Sequence, residues 1–322
     1  MVKISEVLTV SKVEYGSFRF TGVDVKQVQG GIEVSMDDYV ESLEKNILVR
    51  NAKRDDELTK LEMKLYRKMT GKVAWIVENV RPDLCFTALS MSKKSNCATI
   101  ADLRRLDKVI AKVKENPAKV LFSKVGSYDQ VQILGIGDAS YKCDDKSVGG
   151  NFVLLGNLQN GKCSPMFWKS KQISRTAHSS KDAETLNMSK LVDDSVSLAR
   201  QVEILLHGSY KGVIPVKLYT DSEPTLESIA SSKQVERKLL RNTVKDLKDK
   251  VLSGEVKSMS WLATEDMLAD ILTKEKKMSN ILKDLLIDNK FQLRNMDFNV
   301  VKAVDGELRM FNIRNRDIPK DS

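Results

Sequence analysis

Apolar and polar residues alternate along 17–25, with Phe18, Phe20, Val23 and Val25 separated by polar positions, and this period predicts a strand. Gln29-Gly30-Gly31 reads as a turn, and Ile32-Glu33-Val34 starts a second short strand. Ser35 is the expected cap of a helix running through Met36-Asp37-Asp38-Tyr39-Val40. Residues 55–80 carry a helical pattern that Arg81-Pro82-Asp83 breaks. Two more helices are predicted near 83–93 and 99–115, and the string 112–117 closes the region.

The pattern changes at residue 131. Strands are predicted over 131–138, 151–155 and 164–168, with turns at Asp144-Asp145-Lys146-Ser147 and 157–161, which makes an antiparallel meander. A long helix over 180–206 follows, its stripe formed by Met188, Leu191, Val192, Leu198 and Val202. Then come a strand over 216–220, a short helix over 224–230, a basic helix over 235–252 and a strand over 256–261. A last helix is expected from Thr264, and helix is expected again over 277–290. Residues 291–322 show no readable motif. The element order predicts an α/β domain around one mixed sheet, a meander plus parallel strands with flanking helices. Three parts result: 1–125, 126–276, and a C-terminal helix and tail over 277–322.

Composition adds a partner class. The chain has 53 Lys and Arg against 44 Asp and Glu, a net charge of +9 that suits a polyanion. With 41% hydrophobic and 30% charged residues, the balance is that of a folded protein. Four cysteines without a Cys-x-x-Cys pair and two histidines supply no zinc-ligand spacing. The thiols read as free in a reducing compartment, so the expected location is intracellular, cytoplasm or nucleus. No apolar run is long enough for a membrane span.

Four carboxylates fall where they can meet. Asp138 ends the first strand of the meander, and Asp221 ends the strand over 216–220. Neighbouring strands lie about 5 Å apart, so both overlook one sheet edge. Glu184 continues the apolar stripe of the long helix, four residues before Met188, and a carboxylate there needs a partner. Asp270 lies early in the last predicted helix. Gathered together, these groups repel one another, and divalent cations relieve the repulsion. Two Mg²⁺ ions, with Mn²⁺ as the substitute, are the expected cofactors, since they need oxygen ligands and neither His nor Cys. Other readings stand beside this one. Asp138 suits a strand-end turn, Asp221 with Ser222 a helix cap, and Glu184 a lysine partner, while Asp266, Asp270 and Lys274 suit a solvated helical face.

The strings around these residues carry a resemblance. Gly137-Asp138-Ala139-Ser140, Phe167-Trp168-Lys169-Ser170-Lys171-Gln172, Ser179-Ser180-Lys181-Asp182-Ala183-Glu184 and Leu218-Tyr219-Thr220-Asp221-Ser222 resemble the motifs of copia-type ribonuclease H, in order. So do Gly254-Glu255-Val256, Trp261 and Leu268-Ala269-Asp270-Ile271-Leu272-Thr273-Lys274. The resemblance implies a ribonuclease H-like fold and metal-dependent cleavage of RNA in RNA–DNA hybrids. It gives metal-ligand roles to Asp138, Glu184, Asp221 and Asp270. Ser140-Tyr141-Lys142-Cys143 and Thr185-Leu186-Asn187 depart from the pattern, and no histidine lies in 253–270.

Phe20-Thr21-Gly22-Val23-Asp24-Val25, Gly31-Ile32-Glu33-Val34-Ser35, Tyr66-Arg67-Lys68-Met69-Thr70-Gly71-Lys72 and Arg81-Pro82-Asp83-Leu84 are similar to a copia-type polyprotein after the polymerase hairpin. That makes 1–125 a mostly helical remnant of a reverse transcriptase palm with its thumb or connection, and an upstream polymerase segment a partner. None of the four Asp-Asp pairs follows a strand and tyrosine, so no polymerase activity is expected from this chain alone.

Lys233, Arg237, Lys238, Arg241, Lys245, Lys248 and Lys250 lie at near-helical spacing and suit phosphates, or else form a solvated helix paired internally with Glu236, Asp246 and Asp249. Lys169 and Lys171 are further candidate contacts, Trp168 suits the core, and Asn187 and Ser222 are candidate donors to 2′-hydroxyls. Two rivals accompany the nuclease reading: a degenerate copy that binds without cutting, and a piece stable only within a longer polyprotein, with the strands around Phe18 and Phe20 lacking a sheet partner.

Overall fold

Thr21 and Gly22 both take positive φ, 50° and 84°, and reverse the chain in two residues. The single strand expected over 17–25 is therefore a hairpin of β1 (Ser17–Phe20) and β2 (Val23–Val28) in the computed structural model. The structure describes residues 14–44, 51–127, 129–143, 146–157, 159–233, 237–291 and 298–313. The apolar positions shift phase between Phe20 and Val23, which is the sequence trace of this turn. β1 thus has a partner, contrary to the expectation for Phe18 and Phe20, although both rings remain exposed. β3 (Gly31–Ser35) follows, and β4 (Lys119–Ser123), which the sequence pattern did not suggest, completes an antiparallel sheet in the order β1-β2-β3-β4.

Between β3 and β4 run α1 (Asp37–Glu41), α2 (Lys60–Val80), α3 (Cys85–Lys93) and α4 (Ile100–Glu115). Met36, not Ser35, caps α1, with no side-chain capping bond. Capping boxes start α2 at Thr59 with Glu62 and α4 at Thr99 with Asp102. The first of these explains why helix begins at residue 60 rather than 55.

The second sheet has seven strands in the order β11-β10-β9-β8-β5-β6-β7. β5 (Gln132–Cys143), β6 (Lys146–Asn157) and β7 (Lys162–Gln172) form the expected meander, each longer than the sequence suggested. Lys146 and Ser147, read as turn, belong to β6, and Asp144 and Asp145 lie outside the described residues. α5 (Ser180–His207) leads to β8 (Val216–Thr220), which is parallel to β5. α6 (Glu223–Ala230) and α7 (Lys238–Leu252) lead to β9 (Ser258–Trp261), parallel to β8.

The helix expected from Thr264 is instead two 3₁₀ turns, Thr264–Asp266 and Leu268–Leu272. All five residues of the second are buried, so no polar face remains for an amphipathic helix, and the non-helical ψ of 88° at Met267 separates the turns. Asp266 and Asp270 are buried as well, which corrects the solvated-face reading. Helix returns at α8 (Asn280–Asp288). The tail then adds β10 (Phe298–Val304) and β11 (Glu307–Ile313), joined at Asp305-Gly306 with φ of 52° and 78°. β10 pairs with β9, so the sheet runs on into a segment that had no readable motif.

Two cores flank the seven-stranded sheet. On one face α5, α6 and α7 pack residues such as Leu191, Leu226 and Leu247 against Ile133, Val153 and Met259. On the other, α2, α4, the Leu268–Leu272 turn and α8 pack against Leu134, Phe152 and Trp168 in a cluster that reaches back to Met36. Trp168 Nε1 donates to the Val77 carbonyl of α2 at 2.9 Å. Cys85, Cys97 and Cys163 are free thiols, and no described helix is long and apolar enough to cross a membrane.

Candidate active site

β5 runs parallel to β8 with Ile136 beside Tyr219. Two residues further along each strand, Asp138 and Asp221 emerge at the same sheet edge. Glu184 arrives from α5, whose start is fixed by Ser179 accepting from the Asp182 amide at 3.2 Å. One carboxylate oxygen from each of Asp138, Glu184 and Asp221 lies within 4.8 Å of the other two. Asp138 and Glu184 are buried and Asp221 is half-buried.

Asp270 stands apart from that triple. Its carboxylate accepts from Lys274 Nζ at 2.9 Å and from Lys276. Lys274 Nζ also approaches Asp138 Oδ2 at 3.9 Å, and the Thr273 hydroxyl donates to that oxygen. The structure therefore brings three of the four expected carboxylates together and ties the fourth to two ammonium groups.

The electrostatics follow the burial. Desolvation pushes Glu184 up to about 9, with the Asp138 and Asp221 charges adding to it and the Ala139 N–H at 3.1 Å working against it. Burial pushes Asp138 up to about 6, opposed by the Thr273 hydrogen bond and by Lys274. Asp221 is raised by burial and by Asp270. Burial acts upward on Asp270 too, but the hydrogen bonds from Lys276 and Lys274 outweigh it and hold its carboxyl below the ordinary value.

Two adjacent glycines let the site close around β6. Gly150 lies opposite Asp138 in the β5–β6 register, and a Cβ on it would sit 2.6 Å from Leu272 Cβ and 2.9 Å from Thr273 Cγ2. On the other face a Cβ on Gly149 would collide with the Asn187 amide. The pair thus admits the Leu268–Leu272 turn from one side and α5 from the other. The strand expected over 151–155 left Gly149-Gly150 outside it, whereas β6 begins at Lys146 and holds the pair in mid-strand; the contacts made by Asp182, Thr273 and Lys276 had no signal in their sequence strings.

The expected nucleic-acid contacts fall in different places. Asn187 is buried, and its Nδ2 donates to the carbonyls of Asp138 at 2.9 Å and Gly150 at 3.3 Å, so it holds backbone rather than facing a 2′-hydroxyl. The Ser222 hydroxyl shares a 2.9 Å hydrogen bond with Thr225. Arg237 pairs with buried Asp182, which also accepts from Ser179 Oγ at 2.7 Å and the His178 amide at 3.0 Å. Arg237 therefore tethers the start of α7 to the start of α5. Lys169, Lys171, Lys233 and Lys238 are exposed and Arg241 is partly buried, while Glu236 lies outside the described residues.

No family model matches this sequence, and no curated protein matches it. Among solved structures, an RNase H1 isolated from compost by a metagenomic approach is 14% identical over 44% of this chain and 91% of its own, with a TM-score of 0.33. The N-terminal RNase H domain of a Mycobacterium tuberculosis protein is 14% identical over the same shares, with a TM-score of 0.32. A foamy viral protease-reverse transcriptase, solved with an RNA/DNA hybrid, is 12% identical, with a TM-score of 0.46. That match covers 93% of this chain, which spans 38% of the viral protein. In the present structure a three-strand antiparallel meander, two strands parallel to its first member and helices on both faces make a ribonuclease H-like fold.

Proposed function

We propose that this chain is a metal-dependent endoribonuclease that cuts the RNA strand of RNA–DNA hybrids, within a copia-type retrotransposon reverse transcriptase whose polymerase centre lies outside it. The observation that carries the reading is the convergence of Asp138, Glu184 and Asp221 within 4.8 Å. The donor set fits a hard divalent cation: it is all oxygen, and the positive charges of Lys274 and Lys276 offset only part of the charge of Asp138, Glu184, Asp221 and Asp270. Asp138, Glu184 and Asp221 would hold such ions, with Asp270 joining once Lys274 and Lys276 release it. Bound there, Mg²⁺ or Mn²⁺ supplies the acidity that activates a water and the charge that stabilises the leaving oxygen. The protein's own part is placement. Asn187 fixes the Asp138 backbone, the Ala139 N–H orients Glu184, and the glycine pair lets both sides of the site approach. Exposed Lys169, Lys171, Lys233 and Lys238 hold the hybrid by its phosphates.

The test is cleavage of a labelled RNA–DNA hybrid by the full chain in Mg²⁺, beside Asp221→Asn. Cleavage that falls at least about a thousandfold in the variant supports the nuclease, on the scale of a lost electrostatic stabiliser. A folded protein that binds hybrid but does not cut it supports the second reading, a degenerate nucleic-acid-binding copy, which the lysine pairing of Asp270 favours.

A further inference from the structure

Each of the two buried carboxylates in the site has one oxygen held by the protein and one left bare. The Thr273 hydroxyl donates to Asp138 Oδ2, and the Ala139 N–H donates to Glu184 Oε1 at 3.1 Å. Asp138 Oδ1 and Glu184 Oε2 accept no hydrogen bond from a described residue, yet neither is sealed off from the surface. A buried carboxylate in this state lacks a donor or a cation. Lys274 Nζ stays 3.9 Å from Asp138 Oδ2, so among the described residues the Thr273 hydroxyl is the one hydrogen-bond donor to that oxygen. Packing fixes its aim. Thr273 is fully buried, and its methyl lies against Gly150, where a Cβ would sit 2.9 Å from Thr273 Cγ2. A β-branched side chain held at its methyl has little freedom at χ1, which keeps the hydroxyl on Asp138. Gly150 itself lies opposite Asp138 in the β5–β6 register, so both strands and the residue that ends the Leu268–Leu272 turn meet at this hydrogen bond.

The number of free oxygens is what separates divalent cations. Ca²⁺ takes about six to eight oxygens in a flexible shell and accepts both oxygens of one carboxylate. Mg²⁺ needs a near-ideal octahedral shell and keeps several waters, so single oxygens at fixed places suit it. We propose that Thr273 is a positioning residue that sets the cation preference of this site: by holding Asp138 Oδ2 it limits that carboxylate to one oxygen and favours Mg²⁺ over Ca²⁺. The inference rests on the metal-site reading above and deepens it. The Ala139 N–H does the same for Glu184, but a backbone amide survives side-chain substitution, whereas the Thr273 hydroxyl can be removed. Its removal frees Asp138 to turn and to offer both oxygens, which serves Ca²⁺ and not Mg²⁺.

The test is calorimetric titration of Mg²⁺ and of Ca²⁺ into the full chain, native and Thr273→Val, each stripped of metal beforehand. Thr273→Val is expected to lose about tenfold in Mg²⁺ affinity, the scale for a lost partner of a ligating carboxylate, while Ca²⁺ affinity stays within about threefold. Thr273→Ser keeps the hydroxyl and is expected to hold Mg²⁺ within about threefold of the native value. If Thr273→Val fails to fold, Thr273→Cys, a weak donor of similar reach, decides the matter by the same ratio. Equal losses for both ions, or no loss for either, overturn the inference, because a merely structural role would not separate them. A Thr273→Ser loss as large as that of Thr273→Val traces the effect to the methyl and overturns it as well. A native chain that binds neither ion sinks the metal-site reading and this inference with it. Native binding with an unchanged Mg²⁺ to Ca²⁺ ratio in the variant sinks this inference alone.

Discussion

The two faces of the seven-stranded sheet are closed in different ways. The α5 face is covered by α5, α6 and α7, which lie between β7 and β9 in the chain, so this half is built from its own neighbourhood. The opposite face is covered by α2 and α4, more than a dozen residues before β5, and by the turns and helix that follow β9. The candidate site sits on the seam, with Glu184 from the first face and Asp270 from the second. The seven-stranded sheet, α2 and α4 therefore share one core.

Trp168 is where that comparison breaks most readily. It is buried against α2, its ring lies 5.8 Å from that of Phe152 at a tilt of 34°, and its indole N–H donates to the Val77 carbonyl. Trp168→Ala is expected to destabilise the protein by about 3–5 kcal/mol, read by denaturant unfolding. Probes in α2 and in α5 are expected to report the same lowered midpoint. Two separated transitions would show that the region 14–123 folds by itself and that the shared core is only an adjacency.

The next effect is local to the seam. Gly150→Ala forces the Leu268–Leu272 turn away from β6, since the new methyl would meet Leu272 and Thr273 below 3 Å. We expect about 1–3 kcal/mol of lost stability and a divalent-ion affinity at least about tenfold weaker by calorimetry. Unchanged ion affinity would place the turn, and Asp270 with it, outside the metal site.

Proton linkage sharpens the picture further. Glu184 rises from an ordinary 4.5 to about 9 in the folded, metal-free protein, so between those values the native state holds a proton that the unfolded chain releases. The stability this contributes is complete below about pH 4.5 and is lost as the pH rises toward about 9. Asp138, raised to about 6, adds to the loss in the lower part of that window. In EDTA, the fall in Tm from pH 5.5 to 9 is expected to be steeper in the native sequence than in Glu184→Gln. Mg²⁺ competes with the same proton, so the Tm gain it brings should grow with pH. A gain independent of pH would detach metal binding from Glu184.

How much of this was legible beforehand depended on sequence distance. The carboxylates at strand ends and the meander are set by local alternation and were readable, as was the burial of Trp168. β4 was not, because its five residues become a strand only by pairing with β3, some eighty residues earlier. The Leu268–Leu272 turn mimics an amphipathic helix until its burial on all sides is known. The β10–β11 hairpin did carry a signal, Asp305-Gly306 between apolar runs, that went unread. Arg237 shows the opposite failure: its charge suited phosphates, but the fold supplies buried Asp182 as a nearer partner.

The smallest effect asks whether the seam communicates through its core or its surface. Arg105 of α4 pairs with Glu275, between the two lysines that hold Asp270, and is the plainest ionic link from the region 14–123 to the site. Both partners are substantially exposed, at 38% and 55%, so solvent screens the pair. Arg105→Ala is therefore expected to change stability by less than about 1 kcal/mol. Divalent-ion affinity should stay within about threefold of the native value, since the apolar contacts of Leu84 and Leu268 remain to position the turn. A loss as large as that expected for Gly150→Ala would reverse the ranking, and would make this surface ion pair, rather than the shared core, the means by which the first region holds the candidate site in place.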